Sequence, residues 1–446
     1  MAISALIGAF PPPSTPVAAN DFYLHAYPSS RYYDGRGANR PWLHEIPDPI
    51  TNIVWDGWVE LHPETASKLG VVEGDVVVIQ APAGLLEVPV YIYEGIRRDT
   101  VAMPLGLGHT SFGRYAKDVG ANPVRLLSAR FDAKSGALAY AGTTVTLTKS
   151  GRRSPLVRTD GSLTDEGRGF SQVIPISSLF GDAVQATVNA EVETGHEAGR
   201  HLATHSYPDN YPPHEHKDYR WGMAINLNSC TGCGACVAAC YAENNVPVVG
   251  KQRVSEGRHM AWIRIERYIN DVSGKPDIRF SPMMCQQCDN APCEPVCPVY
   301  ATQHNSEGLN VQTYNRCVGT RYCSNNCPYK VRTFNWFDYG FDEPLNLQLN
   351  PDVSVRSKGI MEKCTFCVQR IRGAKDHAKD EGRKVQDGEG TPACAQSCPA
   401  QAISFGNLLD PESAVSKLSA IQHGYKVLEE LNTKPAITYL PRMKQA

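Results

Sequence analysis

The chain has 446 residues, enough for two to four domains, and a formal net charge of −2, a balance that excludes a global field recruiting nucleic acid or an anionic membrane. No run of eighteen apolar residues occurs, so no segment reads as a membrane-spanning helix. All fifteen cysteines lie between Cys230 and Cys398 and residues 1 to 229 contain none, which divides the chain into two chemically different halves.

Residues 1 to 54 read as an extended N-terminal arm. Met1 to Phe10 is mildly apolar, lacks a basic region and runs into Pro11-Pro12-Pro13, so it does not read as a signal peptide. The pair Arg152-Arg153 lies mid-chain and is no twin-arginine signal. Tyr23, Tyr27, Tyr32, Tyr33 and Trp42 follow neither a helical nor a strand period; the arm either wraps over a partner or its own domain, or is a poorly ordered terminus.

Residues 55 to 149 carry short β-strand patterns. Trp58 to Leu61 precedes a helix of about two turns, with Pro63 near its start and Gly70 as its stop. Asp75 to Gln80, Leu86 to Tyr93 and Thr100 to Pro104 are β-branched runs between glycine and proline turns, and together they predict a compact β-barrel. A linker follows over 150 to 217, polar from Gly151 to Gly169, with a helix expected over Asn189 to His205. Its histidines, His196, His201, His205, His214 and His216, are irregularly spaced and read as surface and interface residues. Without a Cys-x-x-Cys-His motif the chain cannot attach haem covalently. The last domain, 218 to 446, opens on a strand from Ala224 to Leu227, then a helix over Val237 to Asn244 that turns Cys240 inward, then a strand from Trp262 to Tyr268.

In this half the cysteines form four groups. The first is Cys230, Cys233, Cys236 and Cys240; the second is Cys285, Cys288, Cys293 and Cys297 before Pro298. The third is Cys317, Cys323 and Cys327 before Pro328, with Thr320 where a cysteine would complete the pattern; the fourth is Cys364, Cys367, Cys394 and Cys398 before Pro399. Tight Cys-x-x-Cys turns deliver several thiolates to one iron-sulfur cluster, and in two-cluster ferredoxins the trailing cysteine ligates the other cluster, so such groups work in pairs. Four groups therefore imply four clusters. An odd cysteine count fits a full disulfide set badly, and zinc needs no trailing cysteine-proline element.

Two resemblances follow from these residues. Gly74-Asp75-Val76-Val77-Val78, Ala83-Gly84, Val88 to Tyr93, Pro104 to Gly108 and Gly120-Ala121-Asn122-Pro123 resemble the C-terminal, molybdopterin-dinucleotide-binding domain of the dimethyl sulfoxide reductase superfamily. Met283-Met284-Cys285-Gln286-Gln287-Cys288, Lys363-Cys364-Thr365-Phe366-Cys367 and Phe405 to Leu408 resemble the four-cluster subunits of polysulfide, dimethyl sulfoxide and nitrate reductases. Fused in one chain, with the motif Cys317 to Lys330 and its threonine, the two halves look like the iron-sulfur B subunit of bacterial alternative complex III. The implied fold is α+β and multidomain: a molybdopterin-dinucleotide-binding-type β-barrel followed by two ferredoxin-like modules with long loops. That family's B subunit is longer and carries an export signal, so the resemblance is to the C-terminal part of a split subunit.

The resemblance implies the ligand sets. One [4Fe-4S] cluster takes Cys230, Cys233, Cys236 and Cys398, a second takes Cys364, Cys367, Cys394 and Cys240, and a third takes Cys285, Cys288, Cys293 and Cys327. A [3Fe-4S] cluster takes Cys317, Cys323 and Cys297 beside Thr320. No molybdopterin is expected in the barrel, and His109, Thr110 and Ser111 read as ordinary loop residues. The implied role is electron transfer from menaquinol toward c-type haems, without catalytic residues in this chain. The implied partners are an integral-membrane quinol-binding subunit, a multihaem c-type cytochrome and a companion supplying the upstream molybdopterin-type domains, on the extracytoplasmic face of a membrane complex. Two other classes stay open: a subunit serving a molybdenum site in a companion, and a purely structural metal module.

Overall fold

A computed structural model describes residues 21–131, 133–138, 142–179, 214–272 and 275–444. The described residues fall into two compact units, one within 21–159 together with 272, 275 and 276, the other within 160–271 and 277–444.

The first unit is built on a closed barrel. Its strands are β1 (Asp21–Tyr27), β2 (Val59–Leu61), β3 (Asp75–Ala81), β4 (Gly84–Ile92), β5 (Thr100–Pro104) and β6 (Thr144–Arg153), hydrogen-bonded in the order β1-β5-β2-β4-β3-β6. The ring closes where β6 runs antiparallel to β1, with Phe22 opposite Val145. Period-two alternation explains the interior: Val77 and Ile79 of β3, Val88 and Val90 of β4, and Val145 and Leu147 of β6 are buried, while the adjacent Gln80, Glu87, Thr146 and Thr148 face out. Each such side chain contributes about 1.5–3 kcal/mol on leaving water. Between β2 and β3 lies helix α1 (Pro63–Leu69), which ends where the sequence says it should: His62 caps its start by accepting from the Glu64 N–H at 3.2 Å, and Gly70 stops it at φ 64°.

The boundaries differ from expectation. Residues 21–54, read as an extended arm, enter the first unit, because β1 pairs with β5 in parallel from Tyr23 opposite Thr100 to Tyr27 opposite Pro104. Phe22, Leu24 and Ala26 alternate as buried residues, but the pairing that makes the segment part of the barrel is non-local. The linker also dissolves in part, since β6 continues to Arg153 and the second unit starts at Asp160. The helix expected over Asn189 to His205, with His196, His201 and His205, lies outside the described residues. His216, read as a surface or interface residue, has 11% of its side chain exposed and lies 3.2 Å from Asp289.

In the second unit β7 (Val173–Pro175) pairs with the last strand, and β8 (Trp221–Asn226) is the centre of a three-stranded sheet. Helix α2 (Ala235–Glu243) follows, then the hairpin β9 (Arg264–Val272) and β10 (Lys275–Met283), and a short hairpin β11 (Thr302–His304) and β12 (Asn310–Gln312). Helix α3 (Tyr322–Asn326) precedes β13 (Thr333–Phe334), which pairs with β14 (Met361–Glu362). Helices α4 (Val368–Asp380) and α5 (Ala393–Gln396) lead to β15 (Ile403–Asn407), and β16 (Ile437–Leu440) and β17 (Arg442–Lys444) end the chain. β15 lies antiparallel and β16 parallel to β8, whose Trp221 stacks on Phe405 at 5.7 Å. The cysteines sit on loops and helix starts around this framework, so their positions depend on strands hundreds of residues apart. Among the described residues no helix is long and apolar enough to cross a membrane.

Candidate metal centres

The leading turn of each cysteine group, Cys-x-x-Cys in three and Cys-x-x-Thr in the third, is closed by the same backbone device. The residue two positions after the leading cysteine is left-handed in all four: Gly232 at φ 68°, Gln287 at 48°, Gly319 at 71° and Phe366 at 55°. Glycine adopts this conformation without steric cost. At Gly232 a side chain would also meet the Phe280 ring at 2.6 Å, and at Gly319 it would collide with the Gly359 carbonyl. Gln287 and Phe366 hold the conformation without that freedom, at positions the sequence does not mark. A second device recurs after the cysteine-proline pairs, where Tyr300, Lys330 and Gln401 are left-handed three residues beyond Cys297, Cys327 and Cys398. It turns the next N–H back: Ala301 donates to Cys297 Sγ at 3.1 Å, and Ala402 to Cys398 Sγ at 3.3 Å.

The fold brings the fifteen free thiols into four sets. Cys230, Cys233, Cys236 and Cys398 line one cavity with about 370 Å³ of empty space, part of it open to solvent. Cys240, on α2, neighbours Cys364, Cys367 and Cys394; Asn244 Nδ2 lies 3.5 Å from Cys240 Sγ and 3.6 Å from Cys367 Sγ. Cys288 neighbours Cys285, Cys293 and Cys327. Cys297, Cys317 and Cys323 line a second cavity together with Thr320, with about 280 Å³ of empty space. We number these the first to fourth sets. They are also neighbours of one another: Cys394 of the second set is close to Cys236 of the first, and Cys364 of the second to Cys285 of the third.

Between the third and fourth sets lies Arg332, 6% exposed, immediately before β13. Its Nη1 donates to Cys293 Sγ at 3.5 Å and to Asn310 Oδ1 at 3.1 Å, and its Nη2 to Thr302 Oγ1 at 2.8 Å and to Gln312 Oε1. Cys285 and Cys323 stand nearby.

The electrostatics fit a cationic inorganic core. Burial, reinforced by Cys230, Cys233 and Cys398, pushes the Cys236 thiol up to about 12. Burial also pushes Cys293 and Cys364 up to about 12, and Cys240, Cys288 and Cys394 well above their ordinary value. Four thiols packed in an apolar site resist ionising together unless positive charge stands among them, which iron supplies. Cys297 differs. Burial opposes its thiolate, yet the backbone N–H groups of Val299, Ala301 and Thr302, with Arg332, hold its thiol below the ordinary value.

Among the described residues no three His, Cys, Asp or Glu side chains converge on one point as a single ion requires. Cysteines ringing a cavity suit a polynuclear cluster. In the first unit, His109, intermediate in exposure, stacks obliquely on Phe112 at 5.1 Å, and Thr110 and Ser111 are exposed.

Comparison with known proteins agrees with the division into two halves. Residues 42–144 match the Molydopterin dinucleotide binding domain, and residues 229–301 and 276–341 each match a 4Fe-4S dicluster domain. The iron-sulfur cluster-binding subunit of menaquinone reductase from Nitratidesulfovibrio vulgaris is 43% identical over 231 residues, 50% of this chain and 89% of that one. The iron-sulfur subunit 1 of the Hdr-like menaquinol oxidoreductase from Archaeoglobus fulgidus is 34% identical over 241 residues, 49% of this chain and 82% of that one. One subunit of polysulfide reductase from Wolinella succinogenes is 30% identical over 225 residues, 50% of this protein and 96% of that subunit.

Proposed function

Because the chain belongs to the family of 4Fe-4S dicluster iron-sulfur subunits, we propose that it is the electron-transfer subunit of a membrane-bound, quinol-linked oxidoreductase of the alternative complex III type. It works from menaquinol toward c-type haems, beside an integral-membrane quinol-binding subunit and a multihaem cytochrome on the extracytoplasmic face. The first, second and third thiol sets hold [4Fe-4S] clusters, and Cys297, Cys317 and Cys323 hold a [3Fe-4S] cluster beside Thr320. When bound, such clusters accept and return single electrons at potentials set by charge and hydrogen bonding around their sulfurs.

The observation that carries this reading is the succession of neighbouring thiol sets, with the incomplete set at one end beside exposed apolar surface. Tyr300, Val318 and Tyr322 are 62%, 65% and 55% exposed around it. Thr320 is a poor ligand, because an alcohol stays protonated at neutral pH where a thiol beside iron ionises. Cys297 is the opposite case, since three N–H groups already favour its thiolate. Asn244 and the N–H groups of Ala301 and Ala402 direct donors at sulfur, which favours the reduced, more negative cluster. Two of the relatives are named for menaquinone or menaquinol, which supports that quinone.

Anaerobic mixing of the oxidised native complex with a menaquinol analogue tests the reading. The [3Fe-4S] signal should be reduced first; reduction beginning at the first thiol set would reverse the direction of flow. A second reading, an electron-transfer subunit for a molybdopterin-dependent reductase of the polysulfide or dimethyl sulfoxide type, is favoured by the match of residues 42–144. Stoichiometric molybdenum and a pterin dinucleotide in the native complex would establish that reading instead.

A further inference from the structure

Arg332 has five N–H donors. Four are directed at Cys293, Asn310, Thr302 and Gln312, the last three presented by β11 and β12. The fifth, on Nε, is buried and has no hydrogen-bond partner among the described residues. No carboxylate pairs with it there either; its oxygen acceptors are two amides and a hydroxyl. Glu294 stands one step away, accepting from Asn310 Nδ2 at 2.6 Å. A buried cation without a counter-charge is strongly unfavourable. The anions that can compensate it are the sulfurs on either side: Cys285 and Cys293 of the third set, and Cys323 of the fourth. Two of its acceptors, Thr302 and Gln312, also line the fourth set's cavity.

We propose that Arg332 is a positioning residue that lies against the centres of the third and fourth thiol sets and raises the reduction potential of both. The proposal rests on the cluster reading above. Reduction adds one negative charge to a centre that is already anionic, and a fixed positive charge at hydrogen-bond distance in a low-dielectric site favours that added charge. As an electron crosses, one centre is oxidised and the other reduced, while the guanidinium keeps its proton. The effect is one of charge; the planar fork holds that charge between the thiols and the hairpin acceptors.

The test is a redox titration of the native complex, followed by electron paramagnetic resonance, for wild type, Arg332→Gln and Arg332→Lys. Iron and acid-labile sulfide in the wild type judge the cluster reading separately: without them that reading falls before Arg332 is questioned. With clusters present, Arg332→Gln should lower both midpoint potentials by at least a tenfold change in the reduced-to-oxidised ratio, about 59 mV for one electron. The centres of the first and second sets should be unmoved. Arg332→Lys, which keeps the charge, should restore most of the shift. Unchanged potentials in a fully loaded Arg332→Gln would overturn the proposal. If Arg332→Gln loads iron poorly, recovery of loading in Arg332→Lys supports a requirement for charge, and equal failure of both overturns it.

Discussion

Arg356 and Glu362 form an ion pair of 2.8 Å with both side chains 1% exposed. The guanidinium also donates to the carbonyls of Asn244 at 2.8 Å and Asn245 at 3.2 Å, just beyond α2, while Trp262 Nε1 donates to Glu362 at 3.1 Å. The pair thus fixes the end of the helix that carries Cys240 to the strand that precedes Cys364. Removing one member leaves a buried charge alone, at a cost of about 3–5 kcal/mol. Arg356→Met should lower the melting temperature of the purified complex and empty the second thiol set of iron. The double change Arg356→Met with Glu362→Leu should recover much of the stability. A single variant as stable as wild type would contradict the assignment.

Thr320 offers a direct reading of cluster type. The oxidised wild-type complex should show the paramagnetic signal of a [3Fe-4S] centre, whereas an oxidised [4Fe-4S] cluster of low potential is silent. Supplying the missing thiolate in Thr320→Cys should abolish the signal and increase the iron content. A silent oxidised wild type would refute the [3Fe-4S] assignment.

Gly319 sits at φ 71° against the Gly359 carbonyl. Gly319→Ala adds both a conformational cost and a collision to the loop between Cys317 and Cys323. The signal of the fourth set should be lost or strongly diminished while the [4Fe-4S] signals persist in the reduced complex. Retention of a normal fourth-set signal would show that the loop tolerates the side chain.

His44, fully buried in the first unit, gives a pH dependence that does not involve the clusters. Its Nε2 donates to the Ala38 carbonyl at 2.6 Å, its Nδ1 accepts from the Tyr32 hydroxyl at 3.1 Å, and its ring stacks on Trp55 at 4.6 Å. Burial lowers its pKa from 6.5 to about 4. Above pH 6.5 the residue is neutral folded and unfolded and has no effect. Below that, the unfolded chain takes up a proton that the folded one refuses, so stability falls until about pH 4, by about 3 kcal/mol in all. The protection factors of first-unit amides, which compare exchange with the intrinsic rate at the same pH, should therefore fall between pH 7 and pH 5, and His44→Gln should flatten that slope. An equal slope in the variant would assign the effect to another group.

How much was legible in the sequence depended on how local the determining interactions are. Cys-x-x-Cys spacing, the cysteine-proline pairs and the Thr320 substitution are written along the chain because a turn of a few residues must deliver several thiols to one place. The same holds for α1, bounded by Pro63 and Gly70, and for the alternation that makes β3 and β4 faces of a barrel. Strand β1 carries the alternation Phe22, Leu24, Ala26, but its partners, Thr100 to Pro104 and Thr144 to Thr146, lie more than seventy residues away, so only the fold shows that Asp21 to Tyr27 belongs to the barrel. Gln287 and Phe366 carry no glycine to mark a left-handed turn, so that conformation is imposed by the packing around them. Arg332 is the clearest case. A lone arginine before a short strand reads as a solvated charge, and only the tertiary fold places it beside Cys293, 39 positions earlier, and in contact with the β11 and β12 hairpin. Burial then makes its charge matter, because a field that water would screen at the surface persists where the dielectric is low.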